Sequence, residues 1–243
     1  MAEDKRLLLG VIGGLGPLAT AFFLELVIMM TDASCDQEHL DMIIYNTPSI
    51  PDRTAYILGK SSRNPVIPII GVGRKLVAQG VDCIAIPCIT AHYFYDELSG
   101  AIGKPIINIL RQTALHLKEY GIRTAGIAAT DGTIAGRLFQ KALESEEIES
   151  VIPSVKMQRY VMELIYDDIK AGRPVTMEKF AAISDELRMN GAEVIILGCT
   201  ELSLVKRDYA IGSGYLDAMD VLAKASVMTC RRPLKRQYNR LIT

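Results

Sequence analysis

The chain has 243 residues, of which 49% are hydrophobic and 23% charged, and a net charge of −1. Such a composition suits a globular protein able to bury a sizeable core and excludes extended disorder. The near-neutral balance supplies no field that would draw the chain to nucleic acid or to an anionic membrane. The cluster Arg231, Arg232, Lys235, Arg236 and Arg240 is read as a solvated terminus.

In chain order, residues 1–6 are charged, and the apolar run after them is broken by Gly13, Gly14, Gly16 and Pro17. This pattern is expected of a strand and turn rather than of a secretory signal. Residues 7–12 read as a buried strand and 17–30 as the helix that follows. Residues 42–45 form a second strand, 66–78 a helix and 83–86 a third strand. A strand at 124–128 precedes a helix at 134–143, and the apolar period predicts helices over 157–170 and 177–189 before a strand at 194–197. Alternating helices and wholly apolar strands indicate parallel sheets covered on both faces. No apolar run is long enough to span a bilayer, so a cytoplasmic protein without membrane contact is expected.

Two stretches echo each other. Gly80-Val81-Asp82-Cys83-Ile84-Ala85-Ile86-Pro87-Cys88 and Gly191-Ala192-Glu193-Val194-Ile195-Ile196-Leu197-Gly198-Cys199 each run from a turn through a strand to a cysteine. Each lies at nearly the same distance from a Gly-containing strand that opens its half. Two similar α/β halves facing each other would set Cys88 and Cys199 on a shared cleft, beyond the carboxyl ends of their strands, where ligands of such sheets bind. A cysteine there, just ahead of a helix, is expected to have a thiol pKa below its ordinary ~8.5. Two facing thiols suit racemisation or epimerisation, one removing a proton from carbon while the other delivers one from the far side. Cys35, Cys83 and Cys230 are read as small core filler. The odd count and irregular spacing argue against a disulfide framework, and no CxxC or CxxH pair suggests a metal site.

These features sit among further motifs: Gly13-Gly14-Leu15-Gly16-Pro17-Leu18-Ala19-Thr20, Asp36-Gln37-Glu38-His39, Pro51-Asp52-Arg53-Thr54, Pro87-Cys88-Ile89-Thr90-Ala91-His92, Ala129-Thr130-Asp131-Gly132-Thr133 and Leu197-Gly198-Cys199-Thr200-Glu201. Over nearly its whole length the chain thereby resembles the aspartate/glutamate racemase family, which works without pyridoxal phosphate. The resemblance implies two pseudo-symmetric α/β domains with the active site in the cleft between them, residues 1–103 plus 209–243 forming one and 104–208 the other. It also implies a homodimer, a free amino acid as substrate (aspartate or glutamate), and neither cofactor nor metal. Cys88 and Cys199 match the two acid/base cysteines. Arg53 matches the arginine that grips the distal carboxylate, a role for which its fork is suited; its other reading is a surface ion pair. Thr90, Thr130 and Thr200 match positions that bond the substrate's polar ends, and Gly14 belongs to a turn beside the substrate. Lys170 matches a second cation at the distal carboxylate, or is a helix-end lysine facing solvent. Glu201 polarises the second thiol or faces its helix terminus, and His92 is left out of the chemistry.

One position departs from the pattern. The family usually has Asn between the first cysteine and its threonine, and here the residue is Ile89. Loss of a hydrogen bond to a charged group costs about 1.5–3 kcal/mol, which points to a substrate that sits differently or has changed. Related enzymes acting on hydantoins, maleate or malonates, and an inactive amino-acid-binding relative, are the alternatives within the fold. From another class, Gly14-Leu15-Gly16-Pro17-Leu18-Ala19 fits a dinucleotide fingerprint, but the second strand ends at Tyr45-Asn46-Thr47 without an acidic residue for a ribose.

Overall fold

The computed structural model describes residues 6–243; the charged residues 1–5 lie outside the described part. The first half runs β1 (Leu8–Gly13), α1 (Pro17–Met30), β2 (Asp41–Asn46), α2 (Arg53–Ile57), α3 (Val66–Ala78), β3 (Cys83–Ala85), α4 (Tyr95–Ile102) and α5 (Ile109–Glu119). The second runs β4 (Thr124–Ala128), α6 (Asp131–Ala135), α7 (Leu138–Glu144), β5 (Glu149–Val151), α8 (Val155–Glu163), α9 (Met177–Met189), β6 (Val194–Leu197), α10 (Thr200–Asp208), β7 (Tyr215–Asp217) and α11 (Ala218–Thr229). All strand pairs are parallel, in the orders β2-β1-β3 and β5-β4-β6-β7. The protein is thus an α/β protein of two parallel sheets flanked by helices.

The halves match more closely than strand counts suggest. Ile106 forms a parallel bridge to Ile84, secured by Ile84 N–H to the Pro105 carbonyl and Ile107 N–H to the Ile84 carbonyl, both 2.9 Å. Residues 105–107 therefore stand beside β3 as β7 stands beside β6. A helix cap follows at once in each half: Asn108, the next residue, accepts from Arg111 N–H to start α5, and Asp217, the last residue of β7, accepts from Met219 N–H to start α11. The chain consequently leaves each sheet one short strand later than boundaries at 103/104 and 208/209 would have it. Three residues give too little alternation for sequence periodicity to register. In both sheets the strand order reverses beside the first strand, and β3 and β6 run from that switch point to Cys88 and Cys199.

Apolar burial locks the two halves together. One core takes Phe23 from α1, Ile109 and Leu117 from α5, Phe139 from α7, and Met219 and Leu222 from α11. α11 packs on both α1 and α5, so the last helix returns to the first half. Two further cores cover the outer sheet faces, around Ile69, Leu76 and Leu98 in the first half and Val161, Phe180 and Leu187 in the second. Each such side chain contributes about 1.5–3 kcal/mol by burial, so the shared core stabilises the docking of the halves as well as each half.

Two helices differ from their sequence reading. The apolar period over 134–143 is split, because Arg137 sits at φ 53° between α6 and α7. The period over 157–170 begins as α8, but Leu164–Ile169 widens into a π-helical turn closed by Lys170 N–H to the Ile165 carbonyl at 3.0 Å. Such insertions often mark functional sites. Of the three cysteines expected as core filler, Cys83 and Cys230 are buried, and Cys35 is exposed in the segment between α1 and β2. Among the described residues no helix is long and apolar enough to cross a membrane.

Candidate active site

Between the halves lies a narrow cavity lined by Cys88, Thr90 and Ile89 from the first half and by Cys199, Thr200 and Glu201 from the second. Arg53, Thr130 and Lys170 complete its polar wall. Seven of the residues singled out from sequence, Cys88, Cys199, Arg53, Thr90, Thr130, Thr200 and Lys170, are thus brought together. Gly14 is not among them. It lines an adjoining outer cleft that shares Leu15, Asp52, Arg53, Lys170 and Glu201 with the inner cavity. Its φ of 85° and the 2.2 Å that would separate a Cβ from Thr47 N make it a backbone requirement. Its N–H is taken by the Thr20 hydroxyl at 2.9 Å.

The two cysteines have different surroundings. Cys88 Sγ lies 3.4 Å from the Thr90 hydroxyl, and Cys88 favours the charge of the Arg53 guanidinium beside it. Cys199 donates to Glu201 Oε2 at 2.8 Å, and the Thr200 hydroxyl donates to the same oxygen at 3.4 Å. Burial first, and the Glu201 carboxylate second, push the Cys199 thiol well above its ordinary pKa, while Lys170 works the other way. This overturns the expectation of a lowered pKa at that position. The start of α10 offers a favourable dipole, but a carboxylate at hydrogen-bond distance in a dry site outweighs it. Glu201 therefore touches the thiol rather than merely facing its helix.

Arg53 is buried, not a surface ion pair. Its guanidinium donates to the Leu15 carbonyl, to the Pro51 carbonyl at 3.0 Å and to the Ile50 carbonyl at 3.4 Å. Burial opposes its charge, yet Cys88, Asp52 and Glu201 together raise its pKa. Lys170 reaches Glu201 Oε1 at 3.7 Å and Asp52 Oδ2 at 4.0 Å, with its ammonium 4.3 Å from the Tyr166 ring centre. Burial again opposes the charge, and Glu201 and Cys199 more than offset it. Tyr166 donates to Asp52 Oδ2 at 3.1 Å, and burial lifts its hydroxyl pKa to about 12. The π-helical turn presents both Tyr166 and Lys170 to the cavity.

Sequence reasoning passed over Asp52, Thr54, Thr133, Tyr166 and Leu15 as site residues. A threonine chain crosses the interface: Thr54 donates to Thr130 Oγ1 at 3.2 Å, and Thr130 and Thr133 hydroxyls lie 3.1 Å apart. Asp52 and Thr54 flank Arg53, and Thr133 follows Thr130 by one turn, so their motif neighbours carried the signal. Tyr166 had none, because an α-helical period does not foresee the π-helical turn.

The arrangement offers two thiols on one enclosed space, two cations able to hold carboxylates, and hydroxyls for the remaining polar ends. Comparison with known proteins agrees in kind. Residues 12–226 match the family described as Asp/Glu/Hydantoin racemase. The chain is 30% identical over 230 residues to the broad specificity amino-acid racemase RacX of Bacillus subtilis (strain 168), covering 91% of this chain and 97% of that one. Among solved structures it is similar to the Picrophilus torridus aspartate racemase, with a TM-score of 0.85 and 30% identity over 97% of this chain and 99% of that one. Its fold also matches the glutamate racemase of Francisella tularensis solved with D-glutamate, with a TM-score of 0.68 at 17% identity, covering 99% of this chain and 84% of that one. The chain belongs to the Asp/Glu/hydantoin racemase family, and with it to the isomerases.

Proposed function

We propose that this enzyme interconverts the D and L forms of a free amino acid, aspartate or glutamate, by a two-base mechanism that uses Cys88 and Cys199 and no cofactor. The observation that carries the reading is that both cysteines, each at the end of its own half-sheet, line one cavity. The hydrogen bond from Cys199 to Glu201 makes Cys199 the proton donor of the resting enzyme. Cys88, beside Arg53, is then the base that removes the α-proton, and the roles exchange for the opposite enantiomer. General acid–base catalysis by such positioned groups is worth about 10²–10⁴-fold. Arg53 and Lys170 hold the distal carboxylate, while Thr90, Thr130 and Thr200 bond the α-amino and α-carboxylate groups. Lys170 exchanges its carboxylate partners for the substrate's. In this reading the enzyme works as a homodimer in the cytoplasm.

A second reading keeps the fold and changes the substrate. Ile89 presents an apolar side chain to the cavity, and Asp52 and Glu201 already balance the charges of Arg53 and Lys170. Both features favour an amino acid with a neutral side chain. A panel of D- and L-amino acids in deuterated water separates the readings. Loss of the α-proton signal with aspartate or glutamate supports the first, and loss with neutral amino acids alone supports the second. Inversion of configuration at near the parent rate in either Cys88→Ala or Cys199→Ala would overturn the mechanism.

A further inference from the structure

Outside the cavity, the residue four places beyond each cysteine makes an equivalent connection. In the first half this is His92. Its Nδ1 lies 2.9 Å from the Cys88 carbonyl and its Nε2 lies 3.3 Å from the Ile107 carbonyl. Its ring stacks on Tyr95, with centroids 6.3 Å apart. In the second half it is Ser203, whose hydroxyl donates to Asp217 Oδ1 at 2.7 Å. Ile107 and Asp217 occupy matching places, at the end of the outermost strand segment of each sheet, next to or at the cap of the following helix. Both connections are buried, His92 at 4% exposure and Ser203 and Asp217 at 0%. Neither touches the cavity.

We propose that His92 and Ser203 are positioning residues, each bracing one cysteine against the edge strand of its own half and acting on that cysteine alone. The first brace acts on the backbone of Cys88 directly. The second acts through α10, for which Cys199 is the N-cap and whose first turn carries Thr200 and Glu201. The chemistry differs although the geometry is matched. One brace is an imidazole between two carbonyls and the other a hydroxyl on a carboxylate, so each can be removed without disturbing its counterpart. Burial holds His92 in its neutral form, where it has one N–H to give; the shorter contact assigns that proton to Nδ1 and the Cys88 carbonyl, so the ring meets the Ile107 carbonyl by packing contact and not by a hydrogen bond. The two braces lie on different sheets, so losing one leaves the opposite cysteine in place.

The inference rests on the two-cysteine reading, and the test separates the two. The probe is β-chloroalanine in each enantiomer. Removal of its α-proton by a thiolate expels chloride and gives 2-aminoacrylate, which water converts to pyruvate and ammonia, so one face is read without reprotonation of carbon. Cys199→Ala retains only Cys88 and defines the enantiomer Cys88 consumes; Cys88→Ala defines the other. If these two variants share one preference, the two-cysteine reading itself fails. With opposite preferences established, His92→Leu should slow elimination from the Cys88 enantiomer by about 10- to 100-fold, the range for misplacing a reacting group by about 1 Å or less. The other enantiomer should stay within about twofold. Ser203→Ala should show the mirror-image bias. Asp217→Asn, which can still accept from Ser203 and Met219, should keep near-parent rates on both. Where His92→Leu does not fold, His92→Gln carries the same expectation, since it keeps a polar side chain but lacks the Nδ1 that meets the Cys88 carbonyl. Equal losses on both enantiomers, a bias to the wrong side, or no loss at all overturns the proposal.

Discussion

The Cys199 thiol donates a 2.8 Å hydrogen bond to the carboxylate of Glu201, two residues further along the chain. Burial disfavours the thiolate most, and a carboxylate so close to the thiol adds to the effect. Glu201→Gln removes the charge but not the side-chain length. With Lys170 still present, the pKa of Cys199 should fall. Alkylation follows the thiolate fraction, so iodoacetamide should modify Cys199 roughly tenfold faster at pH 8 in the variant. Peptide mass spectrometry resolves Cys199 from the other cysteines. An unchanged rate would mean that burial alone holds the proton and Glu201 only neutralises Lys170.

Arg53 holds three backbone carbonyls, and in the proposed function it also meets the substrate's carboxylate. Arg53→Lys keeps the charge and loses the planar fork. Each carbonyl left without a donor costs about 1–3 kcal/mol, so the variant should melt several degrees lower. The ratio of kcat/KM for aspartate over alanine should also fall, by roughly tenfold or more, the worth of one hydrogen bond to a charged group. A lower melting temperature with that ratio unchanged would leave Arg53 a scaffold residue only.

Ile89 packs into the central core and also faces the cavity. Ile89→Asn should improve kcat/KM for aspartate or glutamate by about tenfold through a new polar contact. It should cost about 1–3 kcal/mol of stability, because an amide replaces a buried apolar side chain. Calorimetry and steady-state kinetics measure the two effects separately. A stability loss without a kinetic gain would favour the neutral-side-chain reading of the site.

Asp217 and His116 should oppose each other in the pH dependence of stability. Burial lifts Asp217 to about 7, with Asp220 adding to the rise, while Lys206, Ser203 and the Met219 amide pull it down. Its folded pKa lies above its unfolded value, so its contribution is full below about pH 4 and is lost as pH rises to about 7. His116 shifts the other way, to about 4, chiefly through burial and then through Lys224 and Arg240. Its Nε2 accepts from Leu241 N–H at 3.2 Å, a bond only the neutral ring can make. Its contribution is present above about 6.5 and is lost as pH falls through 4. Melting curves of Asp217→Asn should therefore gain on the parent between pH 4 and pH 7. Those of His116→Gln should gain on the parent as pH falls over the same range. Curves that run parallel to the parent would show that neither group is perturbed as described.

Much of this protein was legible in its residues taken in order. The period of apolar positions sets the helices Pro17–Met30, Val66–Ala78 and Met177–Met189 and the strands Thr124–Ala128 and Val194–Leu197 at their observed bounds, because backbone repeats of 3.6 and 2 are local properties. The echo between the segments ending at Cys88 and Cys199 was enough to place both on one cleft, since equivalent strands in equivalent sheets end at equivalent points. What the sequence could not contain is how distant segments press on one another. Whether Arg53 faces solvent or three carbonyls depends on Leu15, from the turn after β1. The pKa of Cys199 depends on how deeply the second half is covered by the first. Tyr166 enters the site because the helix widens by one residue within its last turns, and Cys35 is exposed because no later segment covers it. Spacing is decided within a few residues of chain, whereas desolvation and charge pairing are decided by whatever the folded chain brings within about 4–6 Å, and only the tertiary structure sets those distances.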